Sequence, residues 1–125
     1  MRVLIVEDDE VVQSVLSAYL THYGSDHGET MDIRVLPDAQ QALPVLLDQD
    51  NPGDVIFLDV RLPDLGGDEI YSRLMMEKPD ILGRIVFITG YRDDLIARFP
   101  ALKLNILDKP FRYRQLMDAL ADVAA

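Results

Sequence analysis

Acidic, hydroxyl and amino side chains follow four short apolar runs of this chain. Glu7 and Asp8 come directly after VLIV, and Asp59 comes directly after VIFL. Thr89 follows IVFI, and Lys109 stands two residues after LNIL. Carboxylate oxygens are the ligands that a hard divalent cation such as Mg²⁺ prefers, and a lysine ammonium can neutralise a phosphoryl oxygen. The set therefore predicts chemistry on a phosphoryl group.

The apolar runs themselves indicate why these side chains should meet. Unbroken runs of Val, Ile and Leu are typical of strands that are buried on both faces of a parallel sheet. In an open parallel sheet, the carboxyl ends of the strands line one crevice, and ligands bind there. We therefore expect the polar residues at the strand ends to share one site.

Strand and helix patterns alternate five times along the chain, which predicts a doubly wound α/β sheet with right-handed crossovers. The predicted strands are Arg2–Val6, Ile33–Leu36, Val55–Asp59, Arg84–Thr89 and Lys103–Leu107. The first predicted helix begins after Asp9 as an N-cap, the second at Asp38, and the third is opened by Gly66-Gly67-Asp68. The fourth covers Arg92–Phe99, and the fifth is marked by Leu116, Met117, Leu120 and Val123. Pro44 falls inside the second helix and is expected to kink or shorten it. One domain over residues 1–125 accounts for the whole pattern.

Apolar spacing predicts the faces that the first and third helices bury. The first face comprises Val11, Val12, Val15, Leu16, Tyr19 and Leu20, and the third comprises Ile70, Leu74 and Met75. The segment from Gly24 to Met31 is predicted to be a solvated polar loop. The spacing of His22, Asp26, His27 and Glu29 fits no common pattern of metal ligands.

Composition excludes several classes of function. The 125-residue chain has no cysteine, so disulfides and thiolate sites are excluded, and a reducing cytoplasmic location is expected. A formal charge of −10 argues against nucleic-acid binding through this domain. No basic segment leading into an apolar stretch starts the chain, and no run approaches the ~20 apolar residues of a membrane span. We therefore expect neither a signal peptide nor a membrane contact.

The three acidic residues at the strand ends argue for a cation on electrostatic grounds. Two carboxylates about 4 Å apart repel by ~4 kcal/mol at an effective dielectric near 20. Such a cluster persists when a proton or a cation relieves the repulsion. The simpler interpretation is a helix-capping pair, Glu7 and Asp8, beside an unrelated loop aspartate, Asp59.

The segments VLIVEDDE, VIFLDVRLPDLGG, IVFITGY and DKPF, in this order, resemble the receiver domain of bacterial two-component response regulators. The resemblance spans essentially the whole chain. It implies a flavodoxin-like fold, with five parallel strands in the order 2-1-3-4-5 and a single (βα)5 domain.

The resemblance also implies a role for each residue of the set. Asp59 corresponds to the phosphoacceptor, Thr89 to the switch hydroxyl and Lys109 to the lysine that pairs with the phosphoryl group. Glu7, Asp8 and Asp59 correspond to the carboxylates that hold Mg²⁺, with the backbone carbonyl of Arg61 as a further ligand.

A receiver of this family takes its phosphoryl group from a sensor histidine kinase or a phosphotransfer protein. The resemblance therefore implies a signalling phosphoacceptor that modifies itself and slowly loses the phosphoryl group, and not an enzyme with a separate substrate. Its output would pass to a downstream protein partner or to a covalently linked output domain.

The sequence departs from the family in the residues expected to relay the signal. The family usually has an aromatic residue three positions before the lysine, and this chain has Ile106 there. An aromatic in–out switch is therefore excluded at that position. Arg61 and Tyr91 are bulky residues at positions that affect how readily water reaches the acyl phosphate in this family.

Two other functions fit part of the pattern. A magnesium-dependent phosphohydrolase with an aspartate nucleophile would use Asp59, but such enzymes carry a second acid where this chain has Arg61. A degenerate receiver that binds partners without phosphorylation would tolerate the loss of key residues, and here all five key positions are filled.

Overall fold

The computed structural model describes residues 1–124 and contains one five-stranded parallel sheet. The strands are β1 (Arg2–Val6), β2 (Asp32–Leu36), β3 (Val55–Asp59), β4 (Ile85–Thr89) and β5 (Asn105–Asp108). Their order across the sheet is β2-β1-β3-β4-β5, and every neighbouring pair is parallel. The flavodoxin-like strand order expected from the sequence is confirmed.

Five α-helices cover the two faces of the sheet. They are α1 (Glu10–His27), α2 (Ala39–Asp48), α3 (Gly67–Glu77), α4 (Arg92–Arg98) and α5 (Tyr113–Ala124). Helices α1 and α5 pack on one face, where Leu16, Leu20 and Leu116 are buried against Ile5 and Phe57. The other three helices build the core of the opposite face. Both faces are therefore covered, as a parallel sheet requires.

Burial is greatest in the middle of the sheet. Every residue of β3 and of β4 is buried, because apolar side chains on both of their faces meet helices. The edge strands are less enclosed, and in β2 only Leu36 is buried. The predicted bounds of β1 and β3 are confirmed, whereas β5 begins two residues later than predicted. Lys103 is exposed, and Asn105 is the first residue that pairs with β4.

The structure corrects the predicted loop from Gly24 to Met31. Helix α1 continues to His27 and ends at Gly28, whose φ of 62° lies in the left-handed region that favours glycine. The predicted N-cap is confirmed, since the Asp9 side chain accepts hydrogen bonds from the backbone amides of Val11 and Val12. The apolar face was only partly correct, because Val11 is 71% exposed.

Two details of the other helices also differ from expectation. Helix α2 runs through Pro44, which is exposed, and continues four residues beyond it to Asp48. In α3, Ile70 and Leu74 are buried as predicted, but Met75 is exposed and Tyr71 completes the buried face. A short 3₁₀ helix, Pro79–Arg84, precedes β4 where the sequence had predicted the start of the strand.

Among the described residues, no helix combines the length and the apolar character that a membrane crossing requires.

Candidate functional site

The predicted site residues lie at the carboxyl edge of the sheet. Glu7 follows β1, Asp59 ends β3, Thr89 ends β4 and Lys109 follows β5. These four strands are consecutive neighbours, and the register pairs Asp59 with Ile88 and Thr89 with Asp108. The strand ends are therefore level, and the crevice expected from the sequence is present.

Three carboxylates form a cluster in this crevice. Ligand oxygens of Glu7, Asp8 and Asp59 all lie within 4.8 Å of one another. Glu7 is fully buried and Asp59 is 4% exposed, whereas Asp8 is exposed. The cluster is thus closed on the side of the sheet and open to solvent at Asp8.

Lys109 supplies the positive charge of the site. Its Nζ donates to Glu7 Oε1 at 2.8 Å and to Asp59 Oδ1 at 3.4 Å. Burial acts to lower the pKa of the Lys109 ammonium, but the hydrogen bond to Glu7 and the charges of Asp59 and Glu7 outweigh burial and raise it. The lysine therefore stays protonated between the carboxyl groups of Glu7 and Asp59.

A single ammonium leaves the carboxylates incompletely compensated. Burial, reinforced by the neighbouring Asp59, raises the pKa of Glu7 to about 8 despite the opposing effect of Lys109. Glu7 Oε2 is buried without a hydrogen-bond partner among the described residues. An orphaned carboxylate oxygen beside two further carboxylates is a donor set that fits a hard divalent cation such as Mg²⁺.

Thr89 lies at the same edge and is 2% exposed. Its hydroxyl oxygen accepts a hydrogen bond from the Tyr91 amide at 2.9 Å, and its carbonyl accepts one from the Lys109 amide at 2.8 Å. The hydroxyl is thus engaged with the β4–α4 loop, while the backbone of Thr89 is tied to the segment that carries the lysine.

The loop between β3 and α3 carries Arg61. The Arg61 amide donates to Asp59 Oδ1 at 3.3 Å, and within residues 1–124 the Arg61 carbonyl oxygen accepts no hydrogen bond. The guanidinium of Arg61 lies 3.6 Å from the centre of the Tyr91 ring, in a cation–π contact. Arg61 and Tyr91 are both exposed, and their contact bridges the two loops that flank the crevice.

The base of the β3–α3 loop is closed at Gly67. The Gly67 amide donates to the carbonyl of Val60 at 2.9 Å. A Cβ on Gly67 would collide with the Asp59 carbonyl oxygen and lie 2.9 Å from its carbon. A glycine is required here because the helix start passes directly against the backbone of Asp59.

Sequence reasoning missed two groups of contacts beside the site. Asp64 accepts hydrogen bonds from the first turn of α2, and Arg92 forms an ion pair with Asp108 that includes Nη2 to Oδ2 at 2.9 Å. The partners are 25 and 16 residues apart in the chain, respectively. No local spacing rule connects such pairs. Asp64, which follows Pro63 in a turn-rich segment, has the character of a helix-capping residue, but the sequence does not indicate which helix it caps.

The histidines lie away from the crevice, on α1. His22 Nε2 is 3.3 Å from Asp26 Oδ2, which also accepts from the hydroxyl of Tyr113. Among residues 1–124, the cluster of Glu7, Asp8 and Asp59 is the one group of side chains with the proximity of metal ligands. The interpretation of His22, Asp26, His27 and Glu29 as solvated residues is consistent with their exposure.

Comparison with known proteins agrees with this geometry. The family model described as "Response regulator receiver domain" matches residues 3–121. An uncharacterised response regulatory protein of Yersinia pestis is 30% identical over 96% of this chain and 47% of its own length. The transcriptional regulatory protein TrcR of Mycobacterium tuberculosis is 32% identical over 96% of this chain and 44% of its own. The chain thus spans about half the length of these relatives.

Solved structures share the fold. The receiver domain of a sensor histidine kinase from Pseudomonas aeruginosa superposes with a TM-score of 0.77 at 24% identity, covering 99% of this chain and 98% of that one. That structure is described as having a magnesium ion coordinated in its active-site cleft. The match of the family model over nearly the whole chain, on a sheet of the expected order, shows that this chain belongs to the response regulator receiver domain family of two-component signalling.

Proposed function

We propose that this chain is a phosphoacceptor whose nucleophile is Asp59, with residues 1–125 forming one receiver domain. The observation that carries the proposal is the position of Asp59. It is nearly buried at the end of the central strand β3, its Oδ1 lies 3.4 Å from the Lys109 ammonium, and two further carboxylates are beside it. Glu7 and Asp8 share the acidic surroundings, but neither lies at the end of the central strand β3.

The donor would be a phosphohistidine on a sensor histidine kinase or a phosphotransfer protein. An oxygen of Asp59 attacks the phosphorus in line, the P–O bond forms, and the P–N bond breaks with its electron pair passing to the imidazole nitrogen. The transition state spreads negative charge over the phosphoryl oxygens, so positioning and charge neutralisation supply most of the catalysis.

The surrounding residues have separate roles in this transfer. Glu7, Asp8 and Asp59, with the Arg61 carbonyl, would hold Mg²⁺, which when bound neutralises phosphoryl oxygens. Lys109 would exchange part of its contact with Glu7 and Asp59 for one phosphoryl oxygen. Thr89 would turn its hydroxyl from the Tyr91 amide towards another. Hydrolysis of the acyl phosphate would then reset the domain, without any separate substrate.

The signal would leave through the β4–α4 loop. Turning of the Thr89 hydroxyl releases the Tyr91 amide, and Tyr91 is the residue that precedes α4. Because Ile106 offers no aromatic ring, the Tyr91 side chain and the short α4 are the elements available to change packing. The recipient would be a downstream protein or a linked output domain, in the cytoplasm and with no nucleic acid or membrane bound by this domain.

Reaction with acetyl phosphate and Mg²⁺ tests the assignment of Asp59. Intact-mass analysis should show one added phosphoryl group on the wild type and none on Asp59→Asn. Asp48→Asn, a matched change at an exposed aspartate that ends α2, should be modified like the wild type. Modification of the Asp59→Asn protein would refute the assignment. An unmodified wild type that still bound Mg²⁺ would favour a phosphorylation-independent binding module.

A further inference from the structure

The tip of the β3–α3 loop is attached to the start of helix α2. Asp64 Oδ1 accepts a hydrogen bond from the Ala39 amide at 2.9 Å, and Asp64 Oδ2 accepts one from the Gln40 amide at 2.9 Å. Ala39 and Gln40 are the first two residues of α2. Asp64 Oδ1 also accepts from the amide of Leu65. One exposed carboxylate therefore fixes both the loop tip and the start of a helix.

The two acids at this helix start act on different amides. Asp38, the N-cap of α2, accepts from the Gln41 amide at 2.9 Å, so it satisfies the third residue of the helix. Asp64 satisfies the first two. Orphaned amides at a helix N-terminus favour carboxylate partners through hydrogen bonding and through the helix dipole. The hydrogen bond from Ala39 is the main cause of the lowered pKa of Asp64, which therefore stays ionised.

Helix α2 is a firm anchor for the loop. Ala39, Ala42 and Leu46 are buried in the core on that face of the sheet. The base of the loop is already closed by the Gly67 amide on the Val60 carbonyl. With the tip held by Asp64, the intervening backbone at Arg61 is restrained from both sides.

The backbone of Arg61 is the part of the loop that contacts the Asp59 carboxylate. Its amide donates to Asp59 Oδ1, and its carbonyl oxygen accepts no hydrogen bond among residues 1–124. A change of backbone conformation at Arg61 would remove a hydrogen-bond donor from the nucleophile and move a carbonyl oxygen that has no other partner among residues 1–124. Restraint of this backbone therefore matters to the chemistry as well as to the shape of the loop.

We propose that Asp64 is a positioning residue for the phosphoacceptor site, acting through the Arg61 backbone by tying the β3–α3 loop to the N-terminus of α2. The inference rests on the proposed function, because it gives the Arg61 carbonyl its role towards Mg²⁺. Among the described residues, Asp64 is not part of the carboxylate cluster of Glu7, Asp8 and Asp59.

The test compares Asp64→Ala with Asp38→Ala. Both variants remove a carboxylate from the same helix N-terminus, so both should lower the melting temperature of the protein. Only Asp64→Ala releases the loop. In the metal-free protein, amide hydrogen exchange at Arg61 should therefore accelerate in Asp64→Ala and stay at the wild-type rate in Asp38→Ala. This measurement does not depend on phosphorylation or on metal.

Magnesium titration gives the functional readout. Followed through the backbone amide signals of Asp59 and Arg61, Mg²⁺ should bind Asp64→Ala about tenfold more weakly than wild type, the lower end of the effect of losing an outer hydrogen-bond partner. Asp38→Ala should keep wild-type affinity, and Asp64→Asn, which retains one acceptor oxygen, should fall between. Equal exchange rates and equal affinities in the two alanine variants would overturn the inference. If Asp64→Ala accelerated amide exchange at Arg61 but the wild type bound no Mg²⁺, the tether would be confirmed and the proposed metal site refuted.

Discussion

The two loops that flank the crevice are held in different ways. The β3–α3 loop is fixed by backbone packing at Gly67 and by the Asp64 carboxylate on α2, and its first residues are continuous with the fully buried strand β3. The β4–α4 loop is held by the hydrogen bond from the Tyr91 amide to Thr89 and by the exposed ion pair of Arg92 with Asp108. The first arrangement resists displacement, whereas the second consists of contacts that can be exchanged at small cost.

This difference suits a switch. The proposed nucleophile and metal ligands must keep their geometry in both states, while the proposed relay must have two geometries of similar free energy. Substitutions in the contacts of each loop test this difference.

The largest effect is expected from Gly67→Ala. A Cβ at this position would overlap the Asp59 carbonyl, and the helix start could relieve that overlap only by displacing the backbone of β3. Forcing atoms into packed surroundings costs up to ~3 kcal/mol of unfolding free energy, which urea denaturation measures. The matched control is Gly90→Ala in the β4–α4 loop, where a Cβ would meet no atom within 4 Å and stability should hardly change. Equal losses in the two variants would remove the contrast between the loops.

The next effect is expected from Glu7→Gln in the absence of metal. The pKa of Glu7 is raised to about 8 in the folded protein, against about 4.5 for an unperturbed glutamate. The folded state therefore holds this proton more tightly than the unfolded state, and ionisation opposes folding. Wild-type stability should fall relative to Glu7→Gln as pH rises from about 4.5 to 8.

Urea denaturation in the presence of a chelator, at pH 5 and at pH 8.5, checks this pH dependence. Added Mg²⁺ should restore the stability of the wild type at the higher pH and leave Glu7→Gln nearly unchanged. If the free energy of unfolding of the two proteins changed with pH in parallel, ionisation of Glu7 would not be the cause of the pH dependence.

A smaller effect is expected from Arg92→Ala. Its ion pair with Asp108 is about half exposed, with side-chain exposures of 45% and 46%, so solvent screening limits its contribution to about 0.5 kcal/mol. Its conformational effect should be larger than its effect on stability, because the pair ties the start of α4 to the end of β5. Amide exchange across α4 should accelerate, and beryllofluoride with Mg²⁺ should bind more tightly.

Arg98→Ala is the control for the Arg92 variant. It removes another exposed ion pair of α4, that of Arg98 with Asp68, whose Nη1–Oδ2 distance is 3.2 Å. This pair joins α4 to α3 and does not involve β5. If both variants changed beryllofluoride affinity equally, the change would result from a general loss of α4 stability and not from loss of the ion pair between Arg92 and Asp108.

The smallest effect is expected for the contact that bridges the two loops. The Arg61 guanidinium stacks on the exposed ring of Tyr91, and such contacts contribute ~0.5 kcal/mol at exposed sites. A double-mutant cycle with Arg61→Ala and Tyr91→Ala should give a coupling free energy of that size. Zero coupling would indicate that the loops move independently.

Much of this arrangement could be predicted from the sequence because it depends on short-range pattern. The runs that end at Asp59 and Thr89 are apolar throughout, so their burial on both faces was evident, and their ends located the crevice. Lys103 was wrongly included in β5 because an edge strand has a weaker apolar signal. The extension of α1 to His27 was missed because its last turn is polar and exposed, so no periodicity marks it.

The contacts that could not be predicted depend on the tertiary structure. Asp64 and Ala39 meet because β1 and β3 are adjacent and α2 packs beside the loop, which a single sequence does not specify in detail. The raised pKa of Glu7 follows from its burial beside Asp59. The residue types predicted that Glu7 and Asp8 would act as an acidic pair. Only the three-dimensional arrangement shows that Glu7 is buried and Asp8 is exposed.

The shallow burial of α4 has a consequence for how this domain can change over generations. Only Leu95 of its seven residues is buried, and the neighbouring strand β5 buries only Leu107. Substitutions at the other positions encounter few packing constraints, whereas β3 and β4 accept almost none. Recognition of a new recipient could therefore evolve on α4 and β5 by drift and selection, while the chemistry proposed for Asp59 was inherited unchanged.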